Sequence, residues 1–326
     1  MREDWTFRLA SVRDAKNTAK PKSLERYILS PRPVNHIGGE GVGSEIERIA
    51  NVIIRRPNQE NPVAAMAIYG DESGSANIFV LSTYIATVES WARFEGSWKA
   101  TLEEAGLRDE SGKLQPFHMS AFESRFKPFD TWNNAKRVRV LRSLIETIHA
   151  TQAIGVTVAL PLDLYRKGIS INAHLALDHP LHKIMQYMIC FYTLHLLLLR
   201  RAASLGLPEP LTMVLDRNDV SAGMVRGVLD LASNEWPKIM RLIDTPVFCD
   251  KSIVVQLQSA DILAYESMKC RDNVISGSGR PMRKSYDYLL IDRARHIIRD
   301  CDEKYISEIA SMMFDYAASA GLIEGT

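Results

Sequence analysis

The segment AAMAIYGDESG, residues 64–74, decides how this chain can fold. Its first seven residues are apolar or small, which is typical of a buried strand. The run Asp71-Glu72-Ser73-Gly74 that follows is typical of a turn, so we predict that the strand ends at Asp71. A second strand is predicted at residues 78–85, and the short separation between the two indicates a hairpin.

The rest of the chain alternates between predicted helices and strands. Apolar spacing predicts helices at residues 90–105, 133–150, 181–204, 221–234, 254–269 and 303–320. Further strands are predicted at residues 117–120, 153–160, 211–215 and 245–248. Three early strands followed by alternating helices and strands indicate an α/β fold with a mixed sheet flanked by helices. We expect this domain to span residues 61–326.

Residues 1–60 differ from the domain that follows them. They are polar, with turn signals at Pro31, at Pro33 and in the glycine-rich run at residues 38–43. That run lacks the Gly-Lys-Ser/Thr ending of a phosphate-binding loop, and no strand precedes it. We therefore expect an N-terminal extension that forms no phosphate site and includes a short helix at residues 43–54.

The composition is that of an ordinary globular protein. The formal net charge is +1, whereas proteins that track a phosphate backbone with their whole surface are far more basic. Four cysteines without a CxxC pair suit a reducing compartment, and the charged N-terminus has no signal-peptide core. The apolar run at residues 184–199 is shorter than a membrane span and predicts a buried helix. We expect a cytoplasmic protein outside the membrane.

Two acidic positions follow predicted strands directly. Asp71 and Glu72 end the first strand, and Asp216 ends the strand at residues 211–215. Open α/β sheets bind ligands beyond the carboxyl ends of their strands, so these positions are candidates for a site. Each also suits the start of an ordinary loop, because a turn follows Asp71 and Ser221 can cap the next predicted helix.

Asp261 differs from the other acids because it lies on an apolar helical face. Its neighbours at helical spacing include Leu257, Ala264, Tyr265 and Met268. A carboxylate in such surroundings loses its water and needs a partner. An ion pair with an Arg or Lys is one alternative, and a metal ion is the other. We favour the metal because two other Asp residues are placed to converge with Asp261.

A cluster of carboxylates is typical of one kind of chemistry. Carboxylates in close contact repel one another unless a hard divalent cation neutralises them, and Mg²⁺ and Mn²⁺ prefer oxygen ligands. Such ions activate water and stabilise the leaving oxygen during phosphodiester cleavage. The sequence therefore predicts a Mg²⁺ or Mn²⁺ site that acts on phosphodiester bonds.

Four short motifs, taken in order, resemble the domain-of-unknown-function family 3800. They are the Asp-Glu-Ser-Gly run at residues 71–74, the Phe-His-Met-Ser-Ala-Phe-Glu segment at 117–123, the strand that ends at Asp216, and the segment Leu-Gln-Ser-Ala-Asp-Ile-Leu-Ala-Tyr at 257–265. The resemblance covers residues 63–270 and implies an RNase H-like fold. Such folds include nucleases and inactive relatives, so it does not establish an activity.

The resemblance also implies roles for individual residues. It implies that Asp71, Asp216 and Asp261 are metal ligands and that Glu72 is a fourth acid. His118 and Glu123 match the His-containing segment of the family without a defined role.

Two basic stretches are candidates for local phosphate contacts. Residues 125–142 contain six Arg or Lys residues and one acid, with Phe126, Phe129 and Trp132 between them. Residues 269–284 form the second stretch and directly follow the Asp261 helix. Basic residues with interleaved aromatics suit a nucleic-acid strand, whereas a solvated helix face with core aromatics explains the same pattern.

Together these features predict a metal-dependent nuclease that hydrolyses DNA or RNA through Asp71, Glu72, Asp216 and Asp261. The alternative is a catalytically inactive RNase H-like module that binds nucleic acid or a protein partner. Metal dependence distinguishes the two, because a binding module does not require an acid cluster. A protein partner or a homo-oligomer is compatible with either.

Overall fold

A six-stranded mixed sheet organises the computed structural model, which describes residues 66–170, 180–205, 211–217 and 246–319. Its strands in chain order are β1 (Met66–Gly74), β2 (Ile78–Thr87), β3 (Ile154–Pro161), β4 (Thr212–Asp216), β5 (Val247–Cys249) and β6 (His296–Asp300). The strands lie in the order β5-β4-β1-β2-β3-β6. The predicted extension at residues 1–60 and the predicted helix at 221–234 lie outside the described residues.

The directions of the strands define the fold. β2 is antiparallel to its neighbours β1 and β3, whereas β1 and β4, β4 and β5, and β3 and β6 run parallel. The order β3-β2-β1-β4-β5, with β2 alone reversed, is the RNase H-like arrangement that the resemblance implied. The predicted α/β class, an RNase H-like mixed sheet flanked by helices, is confirmed.

Helices cover both faces of the sheet. They are α1 (Val88–Glu104), α2 (Met119–Ser124), α3 (Asn134–Thr151), α4 (Leu162–Ser170), α5 (Pro180–Leu205), α6 (Gln256–Ile275), α7 (Lys284–Leu289) and α8 (Glu303–Ser319). One apolar core joins the sheet to α1, α2, α3, α6 and α7, and a second joins its other face to α4, α5 and α8. Burial of both faces agrees with the largely parallel strand directions.

The first strand does not end where its sequence predicts. β1 continues through the Asp-Glu-Ser-Gly run to Gly74, and Asp71 lies opposite Ser82 within the hairpin. The turn instead begins at Ser75, whose amide donates to the Ile78 carbonyl. Pairing with β2 supplies ladder hydrogen bonds to the whole run, and these outweigh its local turn preference. The predicted end of the strand at Asp71 was therefore wrong.

The strand predicted at residues 117–120 was also wrong, because α2 begins there. The Phe117 amide donates to the side chain of Gln258, and the Met119 amide donates to Asp261. Side chains of α6 thus satisfy the backbone of this segment in place of a neighbouring strand. The predictions also missed α4, α7 and β6; the last is short, and its pairing with β3 defines it.

The long apolar helix α5 belongs to the protein core. Its buried residues Ile189, Phe191 and Leu194 pack in the second apolar core beneath the sheet. The buried helix predicted at residues 184–199 is thus confirmed. Across the described ranges, none of the helices combines the length and apolarity that a membrane crossing requires.

Candidate active site

Neighbouring strands place the first two carboxylates of the site. β1 and β4 are parallel, with Gly70 opposite Leu215, so Asp71 and Asp216 follow at adjacent positions. Side chains alternate along a strand, and Tyr69 packs in the core on the α6 side of the sheet. Asp71 therefore faces α6, and it is buried.

The third carboxylate comes from the helix that covers this face. Asp261 lies on α6 among buried apolar residues and is 4% exposed. Its Oδ2 atom accepts a hydrogen bond of 2.6 Å from the Met119 amide. In the same way, Asp71 Oδ1 accepts a 2.8 Å hydrogen bond from the Glu72 amide. One oxygen of each carboxylate is thus held by the backbone, which orients the other.

The ammonium group of Lys251 lies between the three carboxylates. Its Nζ atom is 2.6 Å from Asp71 Oδ2, 2.9 Å from Asp216 Oδ2 and 3.6 Å from Asp261 Oδ1. We call these four residues the carboxylate cluster. The ion-pair alternative for Asp261 therefore describes the structure, with a lysine that interacts with all three predicted acids. If all three carboxyls are ionised, the single ammonium group leaves two negative charges in excess.

The neighbouring charges, together with burial, shift the pKa values of Asp71, Asp261 and Lys251. Burial, together with the nearby Asp261 and Asp216 carboxylates, raises the pKa of Asp71 well above its usual value, although Lys251 opposes the shift. Burial also acts to raise the pKa of Asp261, but His118, Lys251 and the Met119 amide outweigh it and lower this pKa. Burial disfavours the charged form of Lys251, yet the three carboxylates raise its pKa. The cluster thus holds its cation firmly.

Gln258 holds the backbone of Lys251 in place. Its side-chain oxygen accepts hydrogen bonds from Trp98 Nε1 at 2.8 Å and from the Phe117 amide at 2.9 Å. Its amide nitrogen donates to the Lys251 carbonyl at 2.8 Å. One buried side chain therefore fixes the Lys251 backbone and the segment that leads into α2.

An open cleft gives access to the cluster. Its volume is about 270 Å³, and its lining residues are Pro116, His118, Asp216, Arg217, Asp250 and Lys251. The His118 side chain is half exposed, and its Nδ1 lies 3.4 Å from Asp261 Oδ2. A ligand in this cleft would therefore meet two carboxylates, Asp216 and Asp250, two cations, Arg217 and Lys251, and the imidazole of His118.

The chemistry of the cluster fits a hard divalent cation, but the present arrangement holds an ammonium group. Three carboxylates around one position, two of them anchored by backbone amides, are the ligands that Mg²⁺ and Mn²⁺ prefer. Within the described parts of the chain, no set of three or more Asp, Glu, His or Cys side chains is arranged to hold a metal ion. The metal-ligand role of Asp71, Asp216 and Asp261 stays a prediction.

The other two predicted acids lie apart from the cluster. Glu72 follows Asp71 on β1, so its side chain belongs to the opposite face of the sheet. Glu123 is held by two guanidinium groups: Arg283 Nη2 lies 2.8 Å from its Oε2 and Arg137 Nη2 lies 3.5 Å from its Oε1. The site role of Glu72 stays a prediction, and no defined site role was predicted for Glu123.

A second charged cluster, the glutamate cluster, lies further along α6. Glu266 is fully buried and accepts hydrogen bonds from Arg283 Nε at 2.8 Å and from the Ser285 hydroxyl at 2.6 Å. Arg283 also contacts Glu123, which in turn contacts Arg137. Two carboxylates and two guanidinium groups balance, so this cluster is neutral.

Sequence reasoning missed Lys251 and Gln258. A signal for the lysine existed, since the Asp250-Lys251 pair follows a predicted strand just as the acids do. The partners of Gln258 are separated from it by 160 and 141 residues in the chain, so no local pattern identifies its role.

Comparison with known proteins adds little to this geometry. No family model and no curated protein matches the chain. Among solved structures, a mutant of Bst-RNase HIII is similar, with 12% sequence identity and a TM-score of 0.36. The match covers 78% of this chain and 70% of that one. At this TM-score the likeness carries no argument, and the fold assignment depends on the strand order.

Proposed function

We propose that this protein is a metal-dependent nuclease that hydrolyses phosphodiester bonds in DNA or RNA. The observation that carries the proposal is the convergence of Asp71, Asp216 and Asp261 on one cation position beside an open cleft. These residues come from β1, β4 and α6, which are distant in sequence. Burying like charges together is costly, so such a cluster suits a function that requires a strongly bound cation.

Each residue has a defined part in this proposal. Asp71, Asp216 and Asp261 would hold Mg²⁺ or Mn²⁺, which supplies water activation and stabilisation of the leaving oxygen. The Glu72 and Met119 amides hold the carboxylates in place. The Lys251 side chain neutralises part of the cluster, and a metal ion would have to displace its ammonium group from the position between the three carboxylates.

A cleavage assay tests the proposal. Fluorescently labelled single-stranded DNA, single-stranded RNA and their duplexes are incubated with the protein in Mg²⁺, in Mn²⁺ and in EDTA. We expect metal-dependent cleavage of at least one substrate by the wild type and none by Asp261→Asn. The matched control is Asp287→Asn, because Asp287 is an exposed acid outside the cluster. Equal cleavage by wild type and Asp261→Asn would contradict the proposal.

A second candidate function is an inactive RNase H-like module that binds nucleic acid or a protein partner. The contacts of Lys251 with all three carboxylates favour it, because an ammonium group already occupies the cation position between them without a metal. Titration of the wild type with Mn²⁺, followed by electron paramagnetic resonance, separates the two candidates. Binding that Asp261→Asn abolishes supports the nuclease, and absence of Mn²⁺ binding supports the inactive module.

A further inference from the structure

Two helices lead away from the carboxylate cluster towards basic side chains. α2 begins beside Asp261, through the Met119 amide, and ends next to Arg125 after six residues, a length of about 9 Å. On α6, Asp261, Tyr265 and Lys269 follow one another at four-residue spacing and share a face, with about 6 Å between successive positions. Basic groups are therefore reached within two or three turns of the cluster.

The structure joins the two basic stretches into one surface. Glu123 contacts Arg137 of the first stretch and Arg283 of the second. Arg283 and Lys269 both lie over the ring of Tyr265, at 6.0 and 5.5 Å from its centroid. Residues 125–142 and 269–284 thus meet around Glu123 and Tyr265, directly beside the Asp261 end of α6.

Many cations of this surface lack a negative partner. They are Arg125, Lys127, Lys136, Lys269, Arg280 and Lys284, and none forms an ion pair with another residue in the described ranges. Their contacts are to neutral groups: Arg125 donates to Asn134, and Lys136 lies over the Trp132 ring. The acids in or next to these stretches are the exposed Asp130 and Asp287 and the half-buried Asp272, whose carboxylate accepts from Ser75 and Asn77. Positive charge is thus available to a ligand.

An exposed aromatic ring lies among these cations. Phe126 is 67% exposed, between Arg125 and Lys127, whereas the nearby Phe122 and Phe129 are buried. Its backbone amide is fixed by the Ala121 carbonyl at 3.0 Å. An exposed ring with flanking cations suits an unpaired base that stacks while its phosphates contact the charged groups.

We propose that Arg125, Phe126, Lys127, Lys269, Arg280 and Lys284, the basic strip, bind single-stranded nucleic acid and guide it to the carboxylate cluster. The inference rests on the proposed nuclease function and names its substrate as a strand with unpaired bases. The strand follows the exposed side of α2, from His118 at the cleft to Arg125, with a base on Phe126 and phosphates on the cations. A duplex keeps its bases stacked inside and offers none to Phe126.

The test measures binding in EDTA, where metal-dependent cleavage cannot occur. The fluorescence anisotropy of labelled oligothymidylate and of a matched duplex is recorded with the full chain at several salt concentrations. The strip variant is Arg125→Gln/Lys127→Gln/Lys284→Gln. The matched control is Arg166→Gln/Lys183→Gln/Lys304→Gln, which removes three exposed cations from the helices on the opposite face of the sheet.

We expect the strip variant to weaken binding of the single strand at least about tenfold and to lower the salt slope by about 2, at roughly 0.7 per lost contact. The control variant should bind as the wild type does. Phe126→Ala should weaken single-strand binding about fivefold or more, with little effect on the duplex, and Phe126→Trp should restore it. Thermal unfolding of each variant shows whether the fold is intact.

Several results would overturn the proposal: no binding by the wild type, equal losses in strip and control variants, or equal effects of Phe126→Ala on single strand and duplex. Strip-dependent binding without cleavage by any metal would support the strip and contradict the nuclease. Cleavage at an unchanged rate in the strip variant would support the nuclease and contradict the basic strip. The two proposals therefore fail in distinguishable ways.

Discussion

Asp261 and Glu266 lie five residues apart on α6, and both are buried, but their surroundings differ in charge. Around Asp261, three carboxylates share the single ammonium group of Lys251. Around Glu266, two carboxylates face the guanidinium groups of Arg283 and Arg137. With every acid ionised, the carboxylate cluster carries two excess negative charges and the glutamate cluster carries none.

The difference distinguishes buried charges that are balanced by partners within the protein from buried charges that favour an additional bound cation. Burial raises the pKa of Glu266 as well, but a guanidinium group and a hydroxyl donor of the protein oppose this shift. Around Asp71, by contrast, burial and two neighbouring carboxylates together raise its pKa well above the usual value, with only Lys251 opposing them. An additional bound cation would reduce the repulsion between these carboxylates, whereas the glutamate cluster has no excess charge for a cation to neutralise.

The largest expected effect is on cleavage. Asp261→Asn should lower the metal-dependent cleavage rate by more than about 100-fold, because loss of a metal ligand costs more than loss of an outer-shell partner. Glu266→Gln should leave the rate close to that of the wild type. Cleavage rates of both variants under identical metal concentrations check this. Similar losses in the two variants would remove the functional distinction between the clusters.

The second prediction concerns the stability of the metal-free protein. Lys251→Met should lower the free energy of unfolding by about 3 kcal/mol, because it leaves three carboxylates without their cation. Urea denaturation in EDTA measures the change, with Lys304→Met as the control at an exposed site. Mn²⁺ should restore the stability of Lys251→Met. A variant as stable as the wild type in EDTA would show that the carboxylates do not depend on the lysine.

The glutamate cluster should show a smaller loss without metal rescue. Glu266→Gln should cost about 2 kcal/mol, because the amide keeps a hydrogen bond to Ser285 but removes the negative charge opposite Arg283. Denaturation with and without Mn²⁺ should give the same cost. If Mn²⁺ recovered the stability of this variant, the metal would act outside the carboxylate cluster.

The smallest expected effect is stabilisation of the wild type by metal. At a Mn²⁺ concentration about ten times its dissociation constant, the free energy of unfolding should rise by about 1.4 kcal/mol. Asp261→Asn should show no such rise, and Asp287→Asn should behave as the wild type. Thermal unfolding across a Mn²⁺ titration measures all three proteins. A rise of equal size in Asp261→Asn would mean that the ion binds elsewhere.

Local patterns were sufficient for most of the elements. The apolar spacing of α1, α3, α5 and α8 matches their observed extents closely, because a helix that packs on a sheet buries one periodic face, whereas α6 continues six residues beyond its predicted end. Two predictions failed where distant partners decided the structure. The run after Asp71 pairs with β2 instead of turning, and the segment at Phe117 bonds to α6 instead of forming a strand.

The sequence by itself determined the fold class and placed Asp71, Asp216 and Asp261 on separate elements as acids in need of a partner. Strand and helix periodicities are local, and the cost of burying a lone carboxylate depends on its immediate neighbours. Only the tertiary structure decided which cation those acids meet, because Lys251 is 180 residues from Asp71 in the chain. The same holds for the meeting of the two basic stretches at Glu123. Contacts of this kind follow from strand order and helix packing, which short stretches of sequence do not encode.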